Sequence, residues 1–229
     1  MSQYAVTAFH QLSHMDDAVP HDDPDAFGLG IAGVQAMTPR PYAVEKIVAW
    51  RDRLSADHER DLGEAISWDE TSDFSIEADV DHFCDATLGY LAAAIEEEGD
   101  AGVAARLGLA PTDCADWRRL RALDRSPAAP SRFQQLLAPC QFWLPFQKDA
   151  FIVAEDWRGE ERVFGSLYRL ADDVRSLASL IVAADPGADE PPKPDVILDK
   201  VIPAAWQAAD AISRVCGLAI QHRLPLFKC

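Results

Sequence analysis

The segment from Cys140 to Val182 constrains the fold most, because it joins the densest apolar run of the chain to its clearest helix start. Pro145 interrupts the apolar run, and because proline cannot donate a hydrogen bond to a neighbouring strand, we expect an edge strand or an extended buried segment there. Strand-forming residues and a turn at Asp156–Gly159 follow. They predict a small β-hairpin over about residues 150 to 165, which must pack on helices because two strands alone are only marginally stable.

After the hairpin, Ser166 is placed to cap a helix, and apolar side chains then recur at helical spacing on one face. These side chains are Leu167, Leu170, Val174, Leu177, Ala178 and Ile181. Similar patterns predict a helix from Asp79 to Glu98 and a last helix that begins at Pro194-Asp195. The last helix is apolar around most of its girth, so we expect it to be central and to be kinked at Pro203.

Together these patterns predict a mainly α-helical protein. Residues 39–229 are expected to form a single domain of about six to eight helices, with the hairpin packed on them. Residues 1–38 mix proline, glycine and aspartate with few apolar side chains, and they are expected to form an irregular acidic arm. No internal repeat or low-complexity tract interrupts this organisation.

The net charge of the chain limits the classes of molecule that it is expected to bind. It has 229 residues, 48% of them hydrophobic, with 38 acidic and 21 basic side chains and a formal net charge of −17. Such a surface repels nucleic acid and anionic membranes and attracts basic proteins. The five cysteines show no CxxC or close pairing, and no signal peptide or membrane-spanning segment is recognisable. We therefore expect a cytoplasmic protein whose partner is a basic protein, with no nucleic acid and no membrane.

No motif in the sequence specifies a chemistry. There is no glycine-rich phosphate loop after a strand, no GxSxG, no HExxH, no EF-hand loop and no zinc-ligand spacing. No pattern is specific enough to identify a family. We therefore assign no catalytic residue and expect no cofactor.

Four residues are the weak candidates for metal ligands: His10, His14, Asp81 and Asp85. The two histidines would share a helical face beside several aspartates, a combination that suits a transition metal. The two aspartates are also spaced for one helical face and could hold magnesium if a second acidic cluster, Asp172-Asp173, faced them. Solvated acidic surfaces explain these residues more simply, so no metal site is predicted.

The residues predicted to bind the partner are Glu96, Glu97, Glu98, Asp22, Asp23 and Trp157. The three glutamates end a predicted helix, where carboxylates face the negative end of the helix dipole. A cationic partner would offset that repulsion, although a frayed, solvated helix end would tolerate it as well. The two aspartates belong to the arm, and the tryptophan lies in the hairpin turn, where an exposed ring could anchor a partner.

The function that these observations favour is an acidic binding protein that associates with a basic protein and neutralises or orders it, as an immunity protein does with a cationic toxin. Three alternatives remain open. The chain could be an all-α metal-dependent enzyme that uses the paired aspartates or the histidines of the arm. It could be a non-catalytic subunit of a hetero-complex. Its acidity could also serve solubility alone. The sequence does not indicate an oligomeric state.

Overall fold

The computed structural model describes residues 2–11, 41–121, 131–185 and 199–228. In these ranges six strands form one mixed sheet with the order β2-β1-β6-β3-β5-β4. The strands are β1 (Ser2–Val6), β2 (Ile76–Val80), β3 (Phe142–Leu144), β4 (Ile152–Glu155), β5 (Glu161–Ser166) and β6 (Leu226–Lys228). The helices are α1 (Pro41–Leu62), α2 (His82–Glu98), α3 (Ala101–Ala104), α4 (Trp117–Arg121), α5 (Gln134–Leu137), α6 (Leu167–Ala184) and α7 (Val201–His222). None of the helices in these ranges is both long and apolar enough to cross a membrane.

The prediction of a mainly α-helical fold is wrong, because the protein is a mixed α/β structure built on a six-stranded sheet. The predicted hairpin is present as β4 and β5, which pair antiparallel with Ile152 opposite Phe164 and Glu155 opposite Glu161. It forms one end of the larger sheet. The missed strand β6 has three residues, which is too few to show the alternation of apolar and polar side chains that identifies a strand.

The first residues of the chain form β1, which lies inside the sheet between β2 and β6. The irregular arm predicted for residues 1–38 therefore does not describe Ser2–Val6, whose side chains are almost all buried. The predicted boundary at residue 38 falls in the segment 12–40, which lies outside the described residues.

β3 is also an interior strand, paired in parallel with β5 and antiparallel with β6. The edge position expected from Pro145 is wrong. The proline follows Leu144, the last residue of the strand, so it removes no hydrogen bond from the ladder.

Two helices begin later than predicted. α2 begins at His82 with Asp81 as its N-cap, because the residues before it belong to β2. α7 begins at Val201. Pro203 therefore lies in the first turn, where backbone N–H groups have no intrahelical acceptor, and it gives no reason for the predicted kink.

One face of the sheet is covered by α2, α6 and α7, with α7 between the other two. The central position predicted for the last helix is confirmed: Ile212 and Cys216 are completely buried in α7. The sheet contributes Val6, Trp143 and Leu226 to the same core. These three residues share a face because they are aligned in the registers of β1, β6 and β3.

The opposite face carries an aromatic core around Phe9, on which α1 packs. The ring centroid of Phe9 lies 4.6 Å from that of Trp157, 4.9 Å from that of Phe227 and 5.2 Å from those of Trp50 and Trp68. Edge-to-face packing of this kind adds to the free energy gained from burial alone. α1 is thereby fixed to the sheet, which lies between two helical layers.

Gly165 in β5 is the position where the close packing of the sheet can be tested. A Cβ atom there would overlap Gln135 Oε1 and lie 2.7 Å from Trp143 Cδ1. We expect Gly165→Ala to lower the free energy of unfolding by about 1–3 kcal/mol, because strand and side chains must shift. Gly217→Ala in α7 is the control: its Cβ meets nothing within 4 Å, so helix propensity should raise stability by up to about 1 kcal/mol. Urea unfolding measures both, and two variants of equal stability would contradict this packing.

Candidate functional site

All three glutamates predicted to bind a partner are bound within the chain. Glu96 Oε1 accepts hydrogen bonds from the Ser131 hydroxyl at 2.8 Å and from the main-chain N–H of Phe133 at 3.0 Å. Glu97 forms a bidentate ion pair with Arg119, with both N···O distances at 2.7 Å. Donors and a cation from the same chain therefore offset the unfavourable position of these carboxylates at the end of α2.

The third glutamate, Glu98, belongs to a cluster centred on the buried guanidinium of Arg106, which is 5% exposed. Arg106 donates two hydrogen bonds to Glu98 and one each to Asp116, the Tyr90 hydroxyl and the carbonyl of Gly102. All its N–H donors are thus satisfied. The hydrogen bonds from Arg106 lower the pKa of Glu98, and the cluster ties the end of α2 to α3 and α4.

Of the other residues predicted to bind a partner, Trp157 alone lies within the described residues, and its side chain is buried. Trp157 is 9% exposed and packs in the aromatic core against Phe9 and Trp50. The exposed aromatic anchor expected in the hairpin turn is therefore a core residue. Asp22 and Asp23 lie outside the described residues.

Of the two histidines considered as metal ligands, His10 is buried and His14 lies outside the described residues. Glu70, also buried, holds the segment that contains His10. Its Oε1 accepts the main-chain N–H of His10 at 2.6 Å and lies 3.2 Å from Nδ1 of the ring, while its Oε2 accepts the indole N–H of Trp68 at 2.6 Å. The carboxylate therefore satisfies the backbone after β1.

Asp81 and Asp85 point to different partners. The Oδ1 atom of Asp81 accepts the main-chain N–H of Phe83 at 2.8 Å, which caps α2. Asp85 has a side chain that is 10% exposed and forms an ion pair with Lys228 at 2.7 Å. It also accepts hydrogen bonds from Ser2 Oγ at 2.9 Å and Tyr4 Oη at 2.7 Å. Asp85 thus joins α2 to both ends of the chain.

Asp172 and Asp173 are also bound separately. Asp172 forms ion pairs with Arg169 and Arg175 on the surface of α6. Asp173 is partly buried and accepts the main-chain N–H of Gln135 at 2.8 Å. Burial, reinforced by the nearby charge of Asp149, raises the pKa of Asp173 to about 7. Across the ranges that the structure covers, no group of three or more His, Cys, Asp or Glu residues is placed to hold a metal ion.

An acidic surface for which no lysine or arginine partner is found among the described residues lies at the β2 edge of the sheet. β2 pairs only with β1 among the described strands. Asp73, Glu77 and Asp79 are exposed along this segment, and within the described part of the chain their carboxylates make one hydrogen bond, from Gln3 to Glu77 at 2.8 Å. We call β2 and these three acids the acidic edge. Its outer main-chain groups and its charges are both directed away from the core.

A cleft lies beside Asp85, between α2, the α5–β3 connection and the sheet. Its inner cavity has a volume of about 270 Å³ and is walled mainly by apolar and aromatic side chains. An outer groove of about 620 Å³ adjoins it. His82, Asp85, Cys140 and Lys228 line both spaces. Burial raises the pKa of the Cys140 thiol to about 12, so the sulfur is a thiol at neutral pH and not a nucleophile.

The sequence offered little signal for either site. Ser2, Tyr4 and Lys228 stand at opposite ends of the chain, and only the pairing of β1 with β6 brings them to Asp85. The acidic edge was detectable in part, as alternating charges at Glu77 and Asp79, but the sequence pattern predicted Asp79 to start the next helix. Comparisons with protein-family models, with curated proteins and with solved structures give no match. The function is therefore argued from the sites themselves.

The Arg106 cluster should be a principal source of stability. Arg106→Met removes the cation between Glu98 and Asp116 and is expected to lower the free energy of unfolding by about 3–5 kcal/mol, because partly buried carboxylates lose their partner. Arg119→Met breaks the exposed pair with Glu97 and should leave stability nearly unchanged. Urea unfolding of the two variants decides the matter. Equal losses of unfolding free energy in the two variants would show that burial of the Arg106 guanidinium does not make its ion pairs more stabilising.

Asp173 should make stability depend on pH. The pKa of an unfolded aspartate is about 3.9, and that of Asp173 in the folded protein is about 7. The folded state therefore binds the extra proton between these values, and the contribution of this carboxyl to stability is lost as the pH rises through about 7. We expect Asp173→Asn to become more stable relative to wild type, by about 1–3 kcal/mol, between about pH 5 and pH 8.

Chemical unfolding of wild type and Asp173→Asn at the two pH values measures this change. Asp172→Asn is the matched control, because its carboxylate is exposed and paired on the same helix. Its stability difference from wild type should be the same at both pH values. A constant difference for Asp173→Asn as well would contradict the raised pKa.

Proposed function

We propose that this chain is an acidic binding protein that associates with a basic protein partner and neutralises or orders it. The observation that carries the proposal is the acidic edge. There β2, which pairs with no second strand among the described residues, presents its outer main-chain groups beside the exposed carboxylates of Glu77 and Asp79, and Asp73 precedes the strand. An extended basic segment of the partner would add to β2 as a further strand, so that main-chain hydrogen bonds supply affinity and lysine or arginine side chains supply specificity.

Electrostatics supports the same surface. The net charge of −17 raises the rate at which a positive partner arrives. The contact itself requires carboxylates that are not already neutralised. Glu97 and Glu98 pair with arginines of the chain, whereas Glu77 and Asp79 face no lysine or arginine among the described residues. The proposed contact surface is therefore the edge of β2 and not the end of α2.

An immunity protein that neutralises a cationic toxin remains the most concrete form of this function. We also place it in the cytoplasm. The cysteines at positions 84, 114, 140 and 216 are free thiols, which is the usual state in a reducing compartment. The alternative is that the charges on β2 only prevent edge-to-edge aggregation. In that case a basic strand should not bind at this edge.

The proposal predicts that a short peptide of alternating lysine and valine binds at the acidic edge. We expect saturable binding at low salt that weakens steeply as salt is added. The double variant Glu77→Lys/Asp79→Lys should lower the affinity about tenfold or more, because it places like charges opposite the peptide. Fluorescence anisotropy of a labelled peptide measures the dissociation constant, and circular dichroism checks that the variant is folded.

The matched control is Asp57→Lys/Glu59→Lys on the exposed side of α1, which makes the same change in net charge at the same spacing. It should change the affinity much less. Equal weakening in both variants would mean that total charge, and not the edge, determines binding. No binding at any salt concentration would refute the edge as a docking strand. Immobilised on a column, the same three proteins would identify the natural partner as a basic protein retained by wild type and control but lost by the edge variant.

A further inference from the structure

The cleft beside Asp85 takes no part in the proposed function, yet it has the character of a ligand site. The walls of its inner cavity include Leu88, Leu120, Leu136 and Leu170, with the ring of Trp143. A cavity of about 270 Å³ with such walls suits a small apolar body. Four side chains with polar or titratable groups, His82, Asp85, Cys140 and Lys228, line the mouth, where the cavity meets the outer groove.

The hydrogen-bonding groups at the mouth favour a ligand that carries a hydrogen-bond acceptor. Asp85 already accepts from Ser2, Tyr4 and Lys228. The ammonium group of Lys228 has three N–H donors. One of them is directed to Asp85, and no other acceptor for the group is found among the described residues. At this point Lys228 therefore has N–H donors to spare, whereas Asp85 already accepts three.

The charge at the mouth argues against an ionic ligand. Lys228 and Asp85 form a neutral pair at 2.7 Å. An added carboxylate would be repelled by Asp85 and by the chain as a whole, which carries a net charge of −17. An added ammonium group would be repelled by Lys228 and would find few free acceptors. An uncharged carbonyl group meets neither difficulty.

We propose that this cleft binds a small uncharged molecule with an apolar or aromatic body and a carbonyl oxygen. The body fills the inner cavity, and the oxygen accepts a hydrogen bond from Lys228 Nζ at its mouth. Asp85, held by Ser2 and Tyr4, positions the ammonium group for this contact. The thiol of Cys140 donates to the carbonyl of Phe142 at 3.0 Å, so it forms part of the wall.

The test uses three probes that share a phenyl ring with a three-carbon chain: benzylacetone, hydrocinnamate and phenylpropylamine. They present a ketone, a carboxylate and an ammonium group at the same position. Isothermal titration calorimetry of the full chain should show saturable binding of benzylacetone, with both ions at least about tenfold weaker. Tighter binding of either ion, or no saturable binding of the ketone, would overturn the proposal.

Two helical glycines supply a matched pair of variants. Gly89 lines the inner cavity, and a Cβ atom there meets no heavy atom within 4 Å. Gly89→Leu should therefore fill the cavity without disturbing the fold and weaken benzylacetone at least about tenfold. Gly217→Leu makes the same exchange at an exposed position of α7 that is equally open, and it should bind as wild type does. Unchanged affinity in Gly89→Leu would place any binding elsewhere.

Lys228→Met tests the polar contact separately. The double variant Lys228→Met/Asp85→Asn avoids leaving an unpaired carboxylate, and it should bind benzylacetone roughly fivefold or more weakly than wild type. It should also reduce the preference for the ketone over the carboxylate. Thermal unfolding confirms that each variant is folded before its affinity is compared. Retention of full ketone affinity and of full selectivity in the folded double variant would overturn the role of Lys228.

Discussion

The pairing of the two chain ends is the contact on which the rest of the structure depends. β1 and β6 meet in the middle of the sheet, with Tyr4 opposite Lys228 and Val6 opposite Leu226. On one side of this contact β1 pairs with β2, and on the other side β6 pairs with β3, which pairs with the hairpin. Without this pairing the sheet would divide, and the helices on both faces would lose part of the surface they bury. Closing a loop of almost the whole chain costs little more than closing a shorter one, because the entropy grows only logarithmically.

The same pairing decides which charges are available to partners. It brings Lys228 to Asp85, so the aspartate that looked most like a metal ligand becomes part of a neutral cluster. On the other side of α2, arginines from α4 and the segment after α3 neutralise Glu97 and Glu98. Glu77 and Asp79 on β2, by contrast, face no lysine or arginine among the described residues. The acidic composition therefore does not by itself show where the acidic surface lies, because the internal ion pairs determine which acids stay unpaired.

Local patterns were sufficient for part of the fold. The apolar stripe of α6 is buried as predicted, and Ser166 caps the helix by accepting the main-chain N–H of Arg169. The hairpin is present, and α7 is central. The candidate site was harder to predict. Trp157 has the exposed position of a turn residue in the sequence, but Phe9 and Trp50, which lie far away along the chain, help to bury it. Likewise, Glu98 and Glu97 at the end of α2 pair with Arg106 and Arg119. The spacing of residues within a helix does not predict such pairs between separate segments.

By itself the sequence determined the sign of the surface, the long helices and the hairpin, because charge is a sum over residues and helices and hairpins arise from contacts between near neighbours. Only the tertiary structure decided that the protein has a mixed sheet, that its ends are interior, and that a cleft and an acidic edge flank α2. Strands as short as β3 and β6, with three residues each, have no periodicity of their own. They become strands because distant segments supply their hydrogen bonds. Local sequence patterns do not predict which segments pair.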